Sequence, residues 1–455
     1  MLCLSDSIRH DDPRVQRLLG TGEEAPTRPA LVLAVWSLAR VLAIHLVASV
    51  LAARARRPTS WPRCRQCGAC MRRKGLVKRQ VLSLVGPPQW PRRVGRCPQG
   101  CETPQVAPWD DALGLPPHQR TSGEFQSLGW AFAVLVPLAT AATRLGWASG
   151  VAVSPRAVWA WGQAAGQRAL EQRHAPGPAA AEGHLPPAEP LAAEGAALPL
   201  ALGADGVRVP CRPAGGHPRG TTAGPEGTVG VVARVGRHRR RPGERVARLP
   251  QRRLVAVFGD IEALQGRVWL EALRPGIRSA PQVVWRRDGA RGVWCLVAEC
   301  FTASAMGLFD VYHAAQPLWQ GATAWLAGRT RHARRWCSWA RHRLRQGKPD
   351  GVLADVADAL AVEGLPPTAR DTVRTVYASR QRHREPIDSA KDKALGLPLG
   401  SGMGERACTW LIQQRFTGVG MRWSEDGFHP LLPLRLAWIN GRWEALFDLA
   451  LSPNS

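Results

Sequence analysis

The chain is short of acid. Thirty-five Asp and Glu stand against 61 Lys and Arg, a net charge of +26 at pH 7 and a pI of about 11.2. So large a basic excess argues against a neutral or basic partner and for a polyanion. Lysine is scarce as well, and arginine carries nearly all of the positive charge. The planar guanidinium fork bonds phosphate in bidentate fashion, so nucleic acid is expected before a membrane or an acidic protein. A GC-rich coding bias would account for Arg over Lys and for the abundant Ala, Gly and Pro. It would not account for the shortage of acids. Cysteine does not form the dense, even-numbered set of a secreted disulfide scaffold. There are eleven, five of them between Cys64 and Cys101. That excludes a disulfide framework and points to a reduced compartment with one metal site. The polar start MLCLSDSIRHDDPR lacks the apolar core of a signal peptide. Long apolar runs are also lacking, apart from ALVLAVWSLARVLAIHLVASVLAARARR from Ala30. Arg40 and His45 interrupt that run at a spacing suited to a packed helix, so no membrane span is expected.

With 455 residues the chain can hold two or three domains with real cores. Residues 1–60 read as mostly helical. Residues 61–105 hold two cysteine pairs, Cys64 with Cys67 and Cys97 with Cys101, around short β-type runs such as VKRQVLSLVG. Two pairs at the ends of a small hairpin can gather four thiolates around a tetrahedral Zn²⁺, which predicts a zinc ribbon. The second pair is one residue longer than CxxC, and Cys70 is an alternative ligand. Residues 106–173 read as helical. Within them, a helix, a glycine turn and a helix opened by Ser154 and Pro155 fit a helix-turn-helix or plain helical packing. The Ala/Pro/Gly/Glu-rich stretch 174–197 reads as a linker.

From residue 198 the pattern changes to short apolar runs. LPLALGADG, TVGVVARVG and RRLVAVFGD are expected strands, with a basic loop, RHRRRPGER, between the last two. LQGRVWLEALRPG is an expected helix, PQVVWRRDG a strand, ARGVWCLVAECF a helix and SAMGLFDVYHA a strand. Three strands, helix, strand, helix, strand is the order of the α/β ribonuclease-H-like fold, with a mixed five-stranded sheet. An all-helical, basic insertion is expected over about 315–395, before the chain returns to this domain, which spans 198–455. Candidate DNA contacts are Arg239, Arg240 and Arg241 in the basic loop and Arg334, Arg335 and Trp336 in the insertion, where charge interleaves with aromatics.

Asp205 and Asp288 each close an expected strand and precede Gly. In this strand order the first and fourth strands are neighbours, which sets the two carboxylates side by side. LPLGSGMGERACTW reads as a Gly/Ser turn followed by a helix that would bring Glu405 over the same edge. Three clustered carboxylates suit two Mg²⁺ ions about 4 Å apart. Asp260 and Glu262 follow the third strand and read as structural. Asp310 could replace Asp288, and His313 follows it by three residues.

Four motifs carry a resemblance. They are ADGVRVP at 204–210, RRDGARGVW at 286–294, LFDVYHAAQPLW at 308–319, and LPLGSGMGERA with GMRW at 420–423. In order and spacing the chain, over about residues 60–447, resembles DDE transposases of bacterial insertion sequences, the ISKra group, related to the Mutator-like superfamily. The resemblance implies Asp205, Asp288 and Glu405 as the catalytic triad, and Asp310 and His313 as a D-x-x-H motif near the active site. It implies Mg²⁺-dependent cleavage at terminal inverted repeats, strand transfer into target DNA, at least a dimer during end synapsis, and a bacterial cytoplasmic, nucleoid-associated location. Arg415 and Arg422 are further candidate DNA contacts. One departure is local: Gly404 precedes Glu405 where an apolar residue is usual. The same residues would also serve a domesticated DNA-binding protein that no longer cuts, or a ribonuclease-H-like nuclease that cuts without joining.

Overall fold

In a computed structural model, the described residues are 12–57, 60–103, 105–174, 195, 197–213, 224, 226–241, 244–258, 262–287, 305–309, 311–326, 328, 330–382 and 402–447. The protein is mixed α/β and divides into two units. One comprises Met1–Ala165 with Trp443–Ser455, the other Gly166–Arg442.

The first unit begins with α1 (Pro13–Glu23) and α2 (Arg28–Ala55), each opened by a side-chain cap and Pro in the first turn. Asp12 caps α1 and also lies 3.2 Å from His45 of α2. The 28 residues of α2 are long and apolar enough to cross a membrane by length and composition. The packed helix expected here is only partly covered: Val32, Val35 and Trp36 are exposed. A two-stranded antiparallel ribbon follows, β1 (Arg72–Gln80) and β2 (Gln89–Arg96). Next come α3 (Pro108–Ala112), α4 (Gly123–Ala133), α5 (Leu138–Ser149) and α6 (Pro155–His174), the last carrying the boundary between units. α5 ends at Gly150 with φ of +70°, and Ser154 Oγ accepts from the Ala157 N–H at the start of α6, so the helix, glycine turn and helix are present. They pack through Trp130, which is fully buried and donates from Nε1 to the Val158 carbonyl at 2.7 Å. A Cβ at Gly162 would fall 1.5 Å from that indole, so only glycine lets α6 pass.

The second unit is built on a five-stranded mixed sheet. Its strands are β3 (Leu200–Arg208), β4 (Glu226–Arg234), β7 (Arg253–Phe258), β8 (Val283–Arg287) and β9 (Ala305–Phe309), in the order β7-β4-β3-β8-β9. β3 is antiparallel to β4, and β4 to β7; β8 is parallel to β3, and β9 to β8. The central strand is apolar over Leu200–Ala204 because both of its faces are covered, so it shows no alternation. α7 (Glu262–Leu273) lies against β4 and β7, with Leu264, Val268 and Ala272 in the core beside Leu202, Val232 and Val257. The expected helix ARGVWCLVAECF lies outside the described residues.

Two expectations about this sheet change. RHRRRPGER is not a loop but part of a hairpin, β5 (Gly236–Arg241) with β6 (Glu244–Arg248). And β3 does not end at Asp205. It runs on to Arg208, because β4 keeps pairing with it as far as Glu226.

β7 is an edge strand whose outer side is closed by one side chain. After α13 (Glu425–Phe428) and α14 (Leu431–Ile439), the buried Asn440 accepts from the Leu254 N–H and donates to the Leu254 carbonyl, both at 2.9 Å. The amide stands in for a neighbouring strand. Asn440→Ala leaves a buried donor and a buried acceptor without partners, which predicts a loss of about 2–4 kcal/mol in urea unfolding.

The helical insertion comprises α8 (Val311–Trp325), α9 (Arg331–Arg345), α10 (Pro349–Ala361) and α11 (Pro367–Arg382). They enclose their own core of Leu318, Ala340, Leu344, Val352, Val356, Val373 and Val376. After it, α12 (Gly402–Cys408) runs into a π turn, Thr409–Gln413, and a last helical turn.

Candidate functional site

The first residues to place are Asp205, on β3, and Glu405, on a helix that packs against that strand. On one side β3 pairs with β4 past Asp205, which lies opposite Val229. On the other side, the parallel pairing with β8 runs, among the described residues, as far as Gly203, opposite Arg286. Asp205 stands two residues beyond the last described pair with β8. α12 packs against β3 and β4. A Cβ placed on Gly404 would lie 2.9 Å from the Cβ of Asp205 and 3.2 Å from the Ala204 carbonyl oxygen. The glycine that departs from the expected pattern is thus the point where helix and strand meet, and Glu405 is the next residue.

One turn further along α12, the buried Cys408 Sγ lies 3.5 Å from the Asp205 carbonyl oxygen and 3.8 Å from that of Gly206, as a thiol donor would. Burial pushes the Cys408 thiol up to about 12, and the charges of Asp205 and Glu405 add to the effect. The thiol is therefore neutral and lies within the field of both carboxylates. Asp205 is half-buried, and its Oδ1 accepts from the Gly206 N–H at 2.8 Å, which fixes the side chain. Glu405 is exposed. Asp288, the residue after β8, lies outside the described residues, as do Asp260 and Asp310. Glu262 opens α7 and His313 lies in the first turn of α8.

The π turn after α12 widens the helix. It lets Gly404 and Cys408 face β3 while Leu411, Ile412 and Phe416 go into the core. The buried Arg435 donates to the Trp410 carbonyl within the turn at 2.7 Å. Past the turn, Trp423 pairs with the extension of β3: its N–H donates to the Pro210 carbonyl, and its carbonyl accepts from the Arg212 N–H.

The next group to place is a thiol cluster. The Sγ atoms of Cys64, Cys67, Cys97 and Cys101 all lie within 4.8 Å of one another. Among the described residues no other group of three or more possible ligands gathers so closely. A tetrahedron with Zn–S bonds of about 2.3 Å has edges of about 3.8 Å, so the four thiols fit a structural zinc ion. Gly68 turns the first pair with φ of +70°. The longer second pair still closes because Gly100, at φ of +74°, takes up the extra residue. Cys70 is not a member. It is exposed, with its Sγ 3.5 Å from the Trp61 carbonyl oxygen. The Cys64 thiol is lowered to about 6, first by the backbone N–H groups of Cys67 and Gln66. Cys101 is raised to about 12 by its hydrogen bonds with Cys67 and Cys97, so the metal-free cluster shares its negative charge unevenly.

The candidate nucleic-acid residues divide. Arg334 and Arg335 are exposed on α9, and Arg422 is exposed. Arg239, Arg240 and Arg241 lie in β5. Trp336 is not presented for stacking. Its Nε1 donates to Asp355 Oδ2 at 2.8 Å, and its ring meets Trp325 edge-on at 4.6 Å. The more exposed aromatic among these arginines is Trp339, with the Arg343 guanidinium 5.9 Å from its ring centre. Arg415 is buried rather than at the surface, with its guanidinium over Phe416 and Trp423. Burial, reinforced by Arg435, lowers its pKa to about 10.

The chain matches no protein-family profile and no curated protein. Among solved structures it is similar to the Drosophila P element transposase strand transfer complex. The identity is 10% and the TM-score 0.25, over 75% of this chain and 83% of that one. A score that low does not bear on the fold.

Proposed function

We propose that the chain is a DDE transposase of the ISKra kind, which cuts and joins DNA with a ribonuclease-H-like catalytic domain. The observation that supports this best is the packing of Gly404, the residue before Glu405, onto Asp205 of β3, some two hundred residues away in sequence. Asp288, the residue after β8, completes the proposed triad. Asp205, Asp288 and Glu405 would hold two Mg²⁺ ions, whose charge would help to activate the attacking oxygen and to stabilise the leaving one. The chain's own task is to hold oxygen donors rigidly at one strand edge: Asp205 through the Gly206 N–H and Glu405 through the docking of α12. The reaction proposed is in-line displacement at phosphorus. Water breaks a phosphodiester and frees a 3′-OH, and that hydroxyl then attacks a target phosphodiester and displaces its 3′ oxygen. Asp310 and His313 would border the site. The cysteine cluster would hold zinc and keep the β1–β2 module folded for contact with the element's ends. Arg239, Arg240, Arg241, Arg334, Arg335 and Arg422 would contact phosphates.

The test is to incubate the full chain with DNA carrying the flanking repeats, with and without Mg²⁺. Mg²⁺-dependent nicking followed by joining is the expected result. Binding without nicking selects a DNA-binding protein that has lost cleavage, and nicking without joining selects a nuclease. Because phosphate contacts release counterions, the double variant Arg334→Ala/Arg335→Ala should flatten the slope of log K against log salt by about 1–2 in filter binding.

A further inference from the structure

We propose that Gly404 and Cys408 are positioning residues that set the separation of the Asp205 and Glu405 carboxylates, and with it which divalent cation the site prefers. This rests on the metal-site reading above. Gly404 and Cys408 are four residues apart, so they share one face of α12, and both touch the strand at Ala204–Gly206. Glu405, next in sequence to Gly404, is exposed. The helix thus presses its docking face onto the residue that bears one carboxylate while carrying the other on an adjacent face.

The contact has no slack. The added Cβ at Gly404 would be 2.9 Å from the Asp205 Cβ and 3.2–3.3 Å from the Ala204 backbone. Carbon atoms settle at about 3.5–4.0 Å. None of these neighbours is the end of a flexible side chain, so the helix itself must move away by roughly 0.6–1 Å. Sites of this kind hold their geometry to about 0.5 Å. Cys408 fixes the other end of the same face. Its thiol donates toward the backbone carbonyls of Asp205 at 3.5 Å and Gly206 at 3.8 Å. Ordinary helix packing needs small residues at a close crossing, but it does not predict any effect on the ion.

The experiment measures Mn²⁺ binding to the full chain by electron paramagnetic resonance without DNA, with Mg²⁺ as competitor. Wild type, Glu405→Gln, Gly404→Ala, Cys408→Ala and Cys408→Ser are compared, and folding is checked by circular dichroism and thermal unfolding. Gly404→Ala is expected to weaken binding at this site about 10–100-fold, the range for losing a group that orients a ligand. Mg²⁺ should lose more than Mn²⁺, because Mg²⁺ demands near-ideal octahedral geometry. Cys408→Ser, which keeps a donor, should stay near wild type, while Cys408→Ala should move in the direction of Gly404→Ala. Wild-type binding in folded Gly404→Ala and Cys408→Ala overturns the proposal. Should Gly404→Ala fail to fold, the difference between Cys408→Ala and Cys408→Ser decides it. If Glu405→Gln leaves Mn²⁺ binding unchanged, the metal-site reading itself falls and takes this proposal with it.

Discussion

Glu405→Gln and Asp205→Asn are each expected to lower Mg²⁺-dependent cleavage of end DNA by about 10³-fold or more while DNA retention in gel shifts stays at wild-type level. A bound cation supplies several kcal/mol of charge stabilisation in phosphoryl displacement. At about 1.4 kcal/mol per factor of ten, losing most of that reaches three orders of magnitude. The substitutions keep side-chain size and remove only the charge. Glu405 is exposed, so its replacement should leave stability within about 0.5 kcal/mol. Asp205 is half-buried and accepts from the Gly206 N–H, an interaction the Asn carbonyl oxygen can keep. Single-turnover cleavage with each variant, beside thermal unfolding, checks the prediction. Cleavage at the wild-type rate in both variants would refute the assignment.

The second large effect concerns the thiol cluster. One zinc ion per chain is expected by elemental analysis. Cys64→Ser or Cys97→Ser should abolish it and unfold the module around β1 and β2, while Cys70→Ser should do neither. The reason is the size of the local core. Cys64, Met71 and Cys97 are its buried members, with Trp61, Cys101 and Val106 against them. Even with Val81, Trp90 and Val94 buried along the ribbon, so small a core does little to offset the conformational entropy of the loops that carry the thiols. Structural zinc contributes about 10–16 kcal/mol in comparable small modules near pH 7, so metal and fold are lost together. Circular dichroism and protease sensitivity, before and after chelation, give the readout. A chelated protein with unchanged protease sensitivity would show that the cysteines pack without a structural metal.

Local pattern made much of this legible from the residues alone. The apolar runs at Leu200–Ala204, Val229–Val232 and Leu254–Val257 are buried strand cores. Their lack of alternation reflects cover on both faces, which any sequence must answer with continuous apolar residues. Ser154 and Pro155 marked a helix start because capping is local chemistry. The cysteine pairs were visible because two thiols near each other in sequence stay near each other in space. Their stretched second pair was harder to read, since the remedy is a backbone angle at Gly100 rather than a residue spacing.

Other features depended on neighbours that the pattern does not name. RHRRRPGER looked like a loop because charge usually marks solvent, yet its backbone pairs across a hairpin. Trp336 and Arg415 looked like surface ligands by composition. Asp355, Trp325, Phe416 and Trp423 take them up, through contacts that periodicity cannot specify.

By itself the sequence determined the protein's basic charge, the apolar cores of its central strands and its paired thiols, because each follows from residue type and short-range spacing. Only the tertiary structure decided that Asp205 lies within β3 rather than at its end, since the length of a strand is set by how far its partner continues. Only the tertiary structure gave Gly404 its reason. A glycine before Glu405 reads as a departure until α12 is seen crossing β3 at Asp205, where a single added carbon would have to push helix and strand apart.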